Sequence, residues 1–196
     1  GIDVVLFGPA GLETGGLELV VAPDRIEMAE KPAEAVRSKP DSSLVRAVRA
    51  VGDGDADAVV SAGNTGAVLA ASLLHVRRLA GVFRPGIAVV IPTGHGPSVL
   101  IDAGANAEAR PEHLLQFGHM GSIFAEEVLG VSSPCVGLLS VGEEASKGTP
   151  EVVEANRLLA ASGINFGGNC EGRDALSGEF QVVVDMPTGS APQKPR

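Results

Sequence analysis

Several short stretches of this chain place polar or charged side chains among glycines where an apolar run ends. The first, Ser61-Ala62-Gly63-Asn64-Thr65-Gly66, follows Ala58-Val59-Val60 and precedes the helix-forming run Ala67 to Leu74. Small residues at a helix start bring backbone N–H groups close together, and those groups with the helix dipole attract anions. A plain strand-to-helix turn with an N-cap has the same composition, and the Gly63-x-x-Gly66 spacing does not decide between the two. The second stretch, Asp102-Ala103-Gly104-Ala105-Asn106, supplies a carboxylate and an amide after Ser98-Val99-Leu100-Ile101. The third, Gly142-Glu143-Glu144-Ala145-Ser146-Lys147-Gly148, supplies adjacent carboxylates and an ammonium after Val136 to Val141. The last, Ile164 to Asn169, leads into Cys170-Glu171-Gly172-Arg173-Asp174. Open α/β sheets bind ligands at the carboxyl ends of their strands. Loops that repeat one placement rule therefore point to a composite polar site, where each alone reads as a solvated turn.

The elements that must position these loops are legible as short apolar runs alternating with helical patterns. Strands are expected within Gly1–Gly8, at Leu17–Val21, Ala58–Val60, Gly86–Ile91, Ser98–Ile101, Val136–Val141 and Phe180–Val184. The stretch from Ala22 to Asp41 mixes charge and proline and reads as an exposed loop with a short helical piece. Asp41-Ser42-Ser43 offers N-caps for a helix carrying Leu44, Val45, Val48 and Val51 on one face, with Arg46 and Arg49 on the other. A helix opening near Pro111 turns Leu114, Leu115, Phe117, Met120, Ile123, Phe124 and Val128 inward, and Pro150 opens another through Ala161. This order is that of an α/β protein, and residues 1–184 read as one domain. The first residues read as a strand already under way, and Asp185 to Arg196, with Pro187, Pro192 and Pro195, read as a disordered tail, so both ends look cut.

Fifteen Lys and Arg against 24 Asp and Glu leave a formal charge of −9, which disfavours general attraction to nucleic acid or an anionic membrane. An anionic substrate must then be held by local N–H groups and a few placed cations. Arg77, Arg78 and Arg84 form a basic cluster that suits either helix-dipole compensation or the landing of an acidic partner. Cys135 and Cys170 lack metal spacing and read as buried thiols, and His113 and His119, six apart, do not share a helical face, so no metal site is expected. No apolar run approaches a bilayer span of roughly 20 residues, no signal peptide is visible, and a cytoplasmic protein is expected.

In combination and order, the four stretches, together with Lys39-Pro40-Asp41-Ser42-Ser43 and Gln116-Phe117-Gly118-His119-Met120-Gly121, resemble the bacterial phosphate acyltransferases of phospholipid synthesis. The resemblance covers nearly all of residues 1–184. The family's N-terminal Asp-x-Met-Gly-Gly-Asp segment has no counterpart, and where the family continues Asp-Gly-Phe-Thr-Gly-Asn this chain has Asp185-Met186-Pro187-Thr188-Gly189-Ser190. The resemblance implies a three-layer α/β/α sandwich with a mainly parallel sheet, similar to the isocitrate and isopropylmalate dehydrogenases. It also implies transfer of a fatty acyl group from acyl carrier protein to inorganic phosphate, without a cofactor, by a homodimer loosely associated with the membrane acyltransferase that follows it.

Phosphate can attack a thioester directly, so that reaction needs no nucleophilic triad, and none is evident. It needs the dianion held beside the acyl carbon, the oxyanion stabilised and the thiolate helped to leave. On this reading Ser61, Asn64 and Thr65, with the backbone of Gly63, Gly66 and Gly104, hold phosphate with the ammonium of Lys147. Asn106 and Asn169 are candidate oxyanion donors. Asp102, Glu143, Glu144 and Glu171 orient the Lys and Asn groups or manage a proton. Arg77, Arg78 and Arg84 become the carrier-protein patch. Two other readings stand beside this one: another enzyme of the same fold, phosphotransacetylase-like or a dehydrogenase, although no Gly-x-Gly-x-x-Gly fingerprint is present, or a non-catalytic chain that retains dimerisation or carrier binding.

Overall fold

A computed structural model describes residues 1–103 and 109–186, so Gly104 and Asn106 lie outside the described residues. The chain gathers into two compact units, Gly1–Ala80 and Gly81–Arg196. No helix among the described residues is long and apolar enough to cross a membrane.

The first unit contains two parallel strands, β1 (Val5–Gly8) and β2 (Glu18–Val21), and three helices, α1 (Pro32–Ser38), α2 (Ser43–Asp53) and α3 (Thr65–His75). α2 starts where the Ser42 hydroxyl accepts the Val45 N–H and stops at Gly54, whose φ of 83° favours a residue without a side chain. Its apolar face, Leu44, Val45 and Val48, packs with Ile26, Ala35, Val36, Ala67 and Ala71. The loop containing α1 therefore supplies part of this core instead of lying wholly exposed. The run Ala58–Val60 forms no strand, and Val60 is 99% exposed. β1 and β2 pair only with each other among the described residues, so this run has no ladder to join, and an isolated strand is not stable.

The second unit is built on a five-stranded sheet of order β3 (Val89–Thr93), β4 (Gly96–Ile101), β7 (Val182–Val184), β5 (Val136–Leu139), β6 (Phe166–Cys170). β3 and β4 form an antiparallel hairpin, and the other pairings are parallel. The result is an α/β fold with a mainly parallel sheet. β7 alternates as a pleated strand must: Val182 and Val184 join the core under α4 (Pro111–Glu127) and α5 (Pro150–Ala161), while Val183 faces Cys170, Ala175 and Phe180 on the other side.

The inward stripe of α4 is Leu114, Phe117, Gly118, Gly121 and Ala125, whereas Ile123 and Val128 are 59% and 62% exposed. The sequence pattern, read from large apolar residues, missed the glycines. A Cβ on Gly118 would stand 2.7 Å from Leu159 Cδ2, and one on Gly121 would stand 2.5 Å from Val182 Cγ1. Close approach of the helix to the sheet and to α5 requires those glycines. Gly121→Ala is expected to lower stability in urea denaturation by about 1–3 kcal/mol through overpacking, and an unchanged midpoint would show that β7 yields freely.

Candidate functional site

Asn64 is only 6% exposed, and its amide is used within the first unit. Its Oδ1 accepts the Ala67 N–H at 3.0 Å and caps α3, while Nδ2 donates to the carbonyls of Glu27, Met28 and Glu30. The loop 27–30 is thereby tied to the head of α3. Gly66 serves packing, since a Cβ there would lie 2.6 Å from Pro32 Cγ. The Ser61 hydroxyl accepts the Gly63 N–H. What this loop offers to a ligand is the exposed side chains of Ser61 and Thr65 and the first amides of α3, those of Thr65 and Gly66.

In the second unit the parallel strands β4, β7, β5 and β6 all end at one edge, and that edge collects Asp102, Asp185, the 140–148 loop and the 171–174 loop. Asp102 is fully buried at the end of β4, where its Oδ1 accepts the Ile87 N–H at 2.8 Å. The Ala103 N–H donates to the Ile87 carbonyl, so 102–103 and residue 87 are joined at two points. Beside it, the Asp185 N–H donates to the Ile101 carbonyl. Burial pushes the Asp185 carboxyl up, and the neighbouring Asp102 charge pushes it further, against the Met186 N–H that lowers it.

The loop after β5 is held from within and from β6. Lys147 N–H donates to the Glu144 carbonyl, and the Lys147 carbonyl accepts from the Ser140 hydroxyl. The Lys147 stem lies over Gly142, where an added Cβ would be 3.1 Å from Lys147 Cγ. Gly148 has φ 103°, and an added Cβ would be 2.8 Å from Val152 Cγ1, so both strain and space call for glycine. From β6, Asn169 Nδ2 donates to the Glu144 carbonyl at 2.9 Å while Asn169 Oδ1 accepts from Asn156 Nδ2 at 2.8 Å. Asn169 thus sits in a buried amide chain that anchors the loop. Arg173 lies against Glu143 at 3.2 Å, Glu171 at 3.3 Å and Asp174 at 3.6 Å. Those carboxylates, Glu171 first, push the guanidinium pKa up.

The ammonium of Lys147 is exposed and joins no ion pair among the described residues. The head of α5 is closed to an anion by its own residues. The Thr149 hydroxyl accepts the Val152 N–H, and the Glu151 carboxylate is held by Thr149 and by its own N–H, which keeps its pKa low. Arg77 and Arg78, after α3, and Arg84, early in the second unit, are all exposed.

The structure brings Asp102, Glu143, Glu144, Lys147, Asn169 and Glu171 to one sheet edge, and it separates their tasks. Asn156 and Asp185 were not among the residues singled out from the sequence, yet both left a signal. Asn156 falls on the inward stripe of Val152, Ala155 and Leu159, and Asp185 ends an apolar strand as Asp102 does. Arg173 was legible only as part of a motif, because its partner Glu143 is 30 residues away.

Asn169→Ala should leave Asn156 Nδ2 and the Glu144 carbonyl unpaired, lower stability by about 1–3 kcal/mol, and speed tryptic cleavage at Lys147. Unaltered cleavage would show the loop to be held otherwise. The raised Asp185 pKa has a second consequence. The folded chain binds this proton more readily than the unfolded one, so stability falls as pH rises from the ordinary Asp range through the raised value. Asp185→Asn should raise the melting temperature at pH 7 and change it little below that window. Equal melting at pH 7 would contradict the burial cost.

The chain matches the model of a fatty acid synthesis protein family over residues 13–189. It is 53% identical over 168 residues to the phosphate acyltransferase of Desulforudis audaxviator (strain MP104C), covering 86% of this chain and 50% of that protein. It is 49% identical over 193 residues to the phosphate acyltransferase of Desulforamulus reducens (strain ATCC BAA-1160 / DSM 100696 / MI-1), covering 94% and 58% respectively. The chain therefore spans about half the length of the curated relatives it matches. Among solved structures, it is similar to a phosphotransacetylase from Streptococcus pyogenes, with a TM-score of 0.59 at 16% identity over 88% of this chain and 62% of that one. The EutD phosphotransacetylase from Staphylococcus aureus gives a TM-score of 0.56 at 19% identity, over 91% and 64%. At those identities the likeness speaks for the α/β fold alone. By the family match over most of its residues, and by near-half identity to phosphate acyltransferases, this chain belongs to the fatty acid synthesis protein family.

Proposed function

We propose that the whole protein transfers a fatty acyl group from acyl carrier protein to inorganic phosphate, giving an acyl phosphate for phospholipid synthesis. The observation that carries this reading is the exposed Lys147 ammonium, without an ion pair among the described residues, in a loop braced at a parallel sheet edge. The identity to phosphate acyltransferases supports it. A phosphate oxygen attacks the thioester carbonyl, the new C–O bond forms as the C–S bond breaks, and the phosphate proton ends on the departing thiolate. The Lys147 ammonium neutralises the attacking dianion and fixes its direction. Ser61, Thr65 and the first amides of α3 are a second phosphate-binding element, and Asn106 is the candidate oxyanion donor. Asn169 acts by holding the 143–147 loop, and Asp102 by fixing the end of β4 against residue 87.

The acidic carrier protein needs cations at its landing site, and Arg77, Arg78 and Arg84 are exposed in an otherwise acidic chain. Dimerisation, a cytoplasmic location and loose association with a membrane acyltransferase rest on the family resemblance, and sedimentation and vesicle flotation read them directly.

The test is phosphate-dependent thiol release from acyl carrier substrate by the whole protein. Lys147→Ala should reduce turnover about 10²–10³-fold, the cost of losing one preorganised charge-stabilising group. Charge reversal at the three arginines should raise KM for the carrier and flatten its salt dependence. Release that does not depend on phosphate, or near-normal turnover with Lys147→Ala, would sink the assignment.

A further inference from the structure

The same sheet edge contains a charge arrangement whose role lies outside the reaction steps just described. The 142–148 loop carries Glu143, Glu144 and Lys147, and Glu143 stands four residues before the lysine. Glu144, whose carbonyl is held by Asn169, forms no ion pair among the described residues. A carboxylate and an ammonium spaced as Glu143 and Lys147 are can meet within one loop, and a pair would neutralise the lysine before any substrate arrived. In the structure they do not pair. Glu143 is instead engaged by Arg173, from the segment after the neighbouring strand β6, at 3.2 Å.

Arg173 is itself presented by a hydrogen-bonded turn. Asp174 Oδ2 accepts the Glu171 N–H at 2.8 Å, the Asp174 N–H returns to the Glu171 carbonyl at 2.9 Å, and the guanidinium lies against both carboxylates. The two loops are brought side by side by the β5–β6 ladder, which ends with Leu139 opposite Cys170 and the Ser140 N–H on the Cys170 carbonyl. β6 and its following turn therefore grip consecutive residues of the loop: Asn169 holds the Glu144 carbonyl, and Arg173 holds the Glu143 carboxylate. With three carboxylates on one guanidinium, Arg173 has little net positive field to offer an anion.

We propose that Arg173 is a positioning residue that keeps the Lys147 ammonium available to phosphate by holding the Glu143 carboxylate away from it. The inference rests on the reading of Lys147 as the cation that meets phosphate. Removing the guanidinium frees Glu143 to pair with Lys147, so that phosphate must compete with an internal carboxylate. The cost falls on phosphate binding more than on the chemical step.

In the whole protein, Arg173→Gln should raise KM for phosphate about three- to five-fold, the scale of an exposed ion pair, and leave kcat nearly unchanged. It should also slow modification of Lys147 by trinitrobenzenesulfonate, read by peptide mass mapping, because a paired ammonium gives up its proton less readily. Adding Glu143→Gln to Arg173→Gln should restore the labelling rate of Lys147 towards its starting value. A double variant labelled as slowly as Arg173→Gln alone would overturn the proposal, since it would mean that Glu143 is not what captures the ammonium. So would an Arg173→Gln variant with unchanged KM and unchanged labelling. The labelling comparison requires no turnover. Absence of phosphate-dependent thiol release in the unaltered protein would therefore refute the acyl-transfer reading, while the labelling would still decide whether Arg173 keeps Lys147 unpaired.

Discussion

The polar edge of the second unit depends on the insertion of β7 between β4 and β5. This strand comes last among the described elements yet takes the central position, pairing Val182–Val184 with Val99–Ile101 on one side and with Val136–Leu138 on the other. Without it the β3–β4 hairpin and the β5–β6 pair share no ladder. With it, four parallel strands end together, and their loops inherit a common edge from hydrogen-bond register alone. The burial of all three β7 valines supplies the driving force.

Once the edge exists, local chemistry sets what each loop does. Glycines 142 and 148 allow the loop after β5 to fold over its own lysine stem and against Val152. The Asn156–Asn169 amide chain then fixes it to β6 and α5, with every buried amide group answered, as the low dielectric of the interior demands. The result is a division of labour among groups of similar type. One asparagine braces a loop, one aspartate clamps a strand end and three carboxylates surround an arginine, while the Lys147 ammonium joins no ion pair among the described residues.

Much of this was legible beforehand because it is written in short-range terms. The cap at Ser42, the Pro150 helix start and the extent of that helix to Ala161 follow from residue types within a few positions. The placement of Asp102 and Lys147 at strand ends also followed, since an apolar run emptying into glycines and charges is a local pattern. The expected strand at Ala58–Val60 failed for the opposite reason: a strand needs a neighbour, and no local pattern supplies one. The inward face of α4 was misjudged because tight helix–sheet contact selects the absence of a side chain at Gly118 and Gly121, which a count of large apolar residues overlooks.

Residue types and their spacing were enough to read the alternation of strands and helices, the family, and the kinds of group available at the strand ends. Periodicity, capping and turn chemistry act over a few residues, and four ordered motifs seldom arise by chance. Which of those groups are committed to the fold depends on packing in three dimensions. Asn64 and Asn169 have the same chemistry as a substrate-binding amide, and nothing local distinguishes them from one. Their partners, the carbonyls of Glu27, Met28 and Glu30 for Asn64 and Asn156 with Glu144 for Asn169, lie 13 to 37 residues away and meet them only after packing. The same holds for Arg173 and Glu143, joined across neighbouring strands. A hydrogen bond, once made inside the fold, is withdrawn from the ligand, and that withdrawal is fixed by three-dimensional distance, which residue order does not contain.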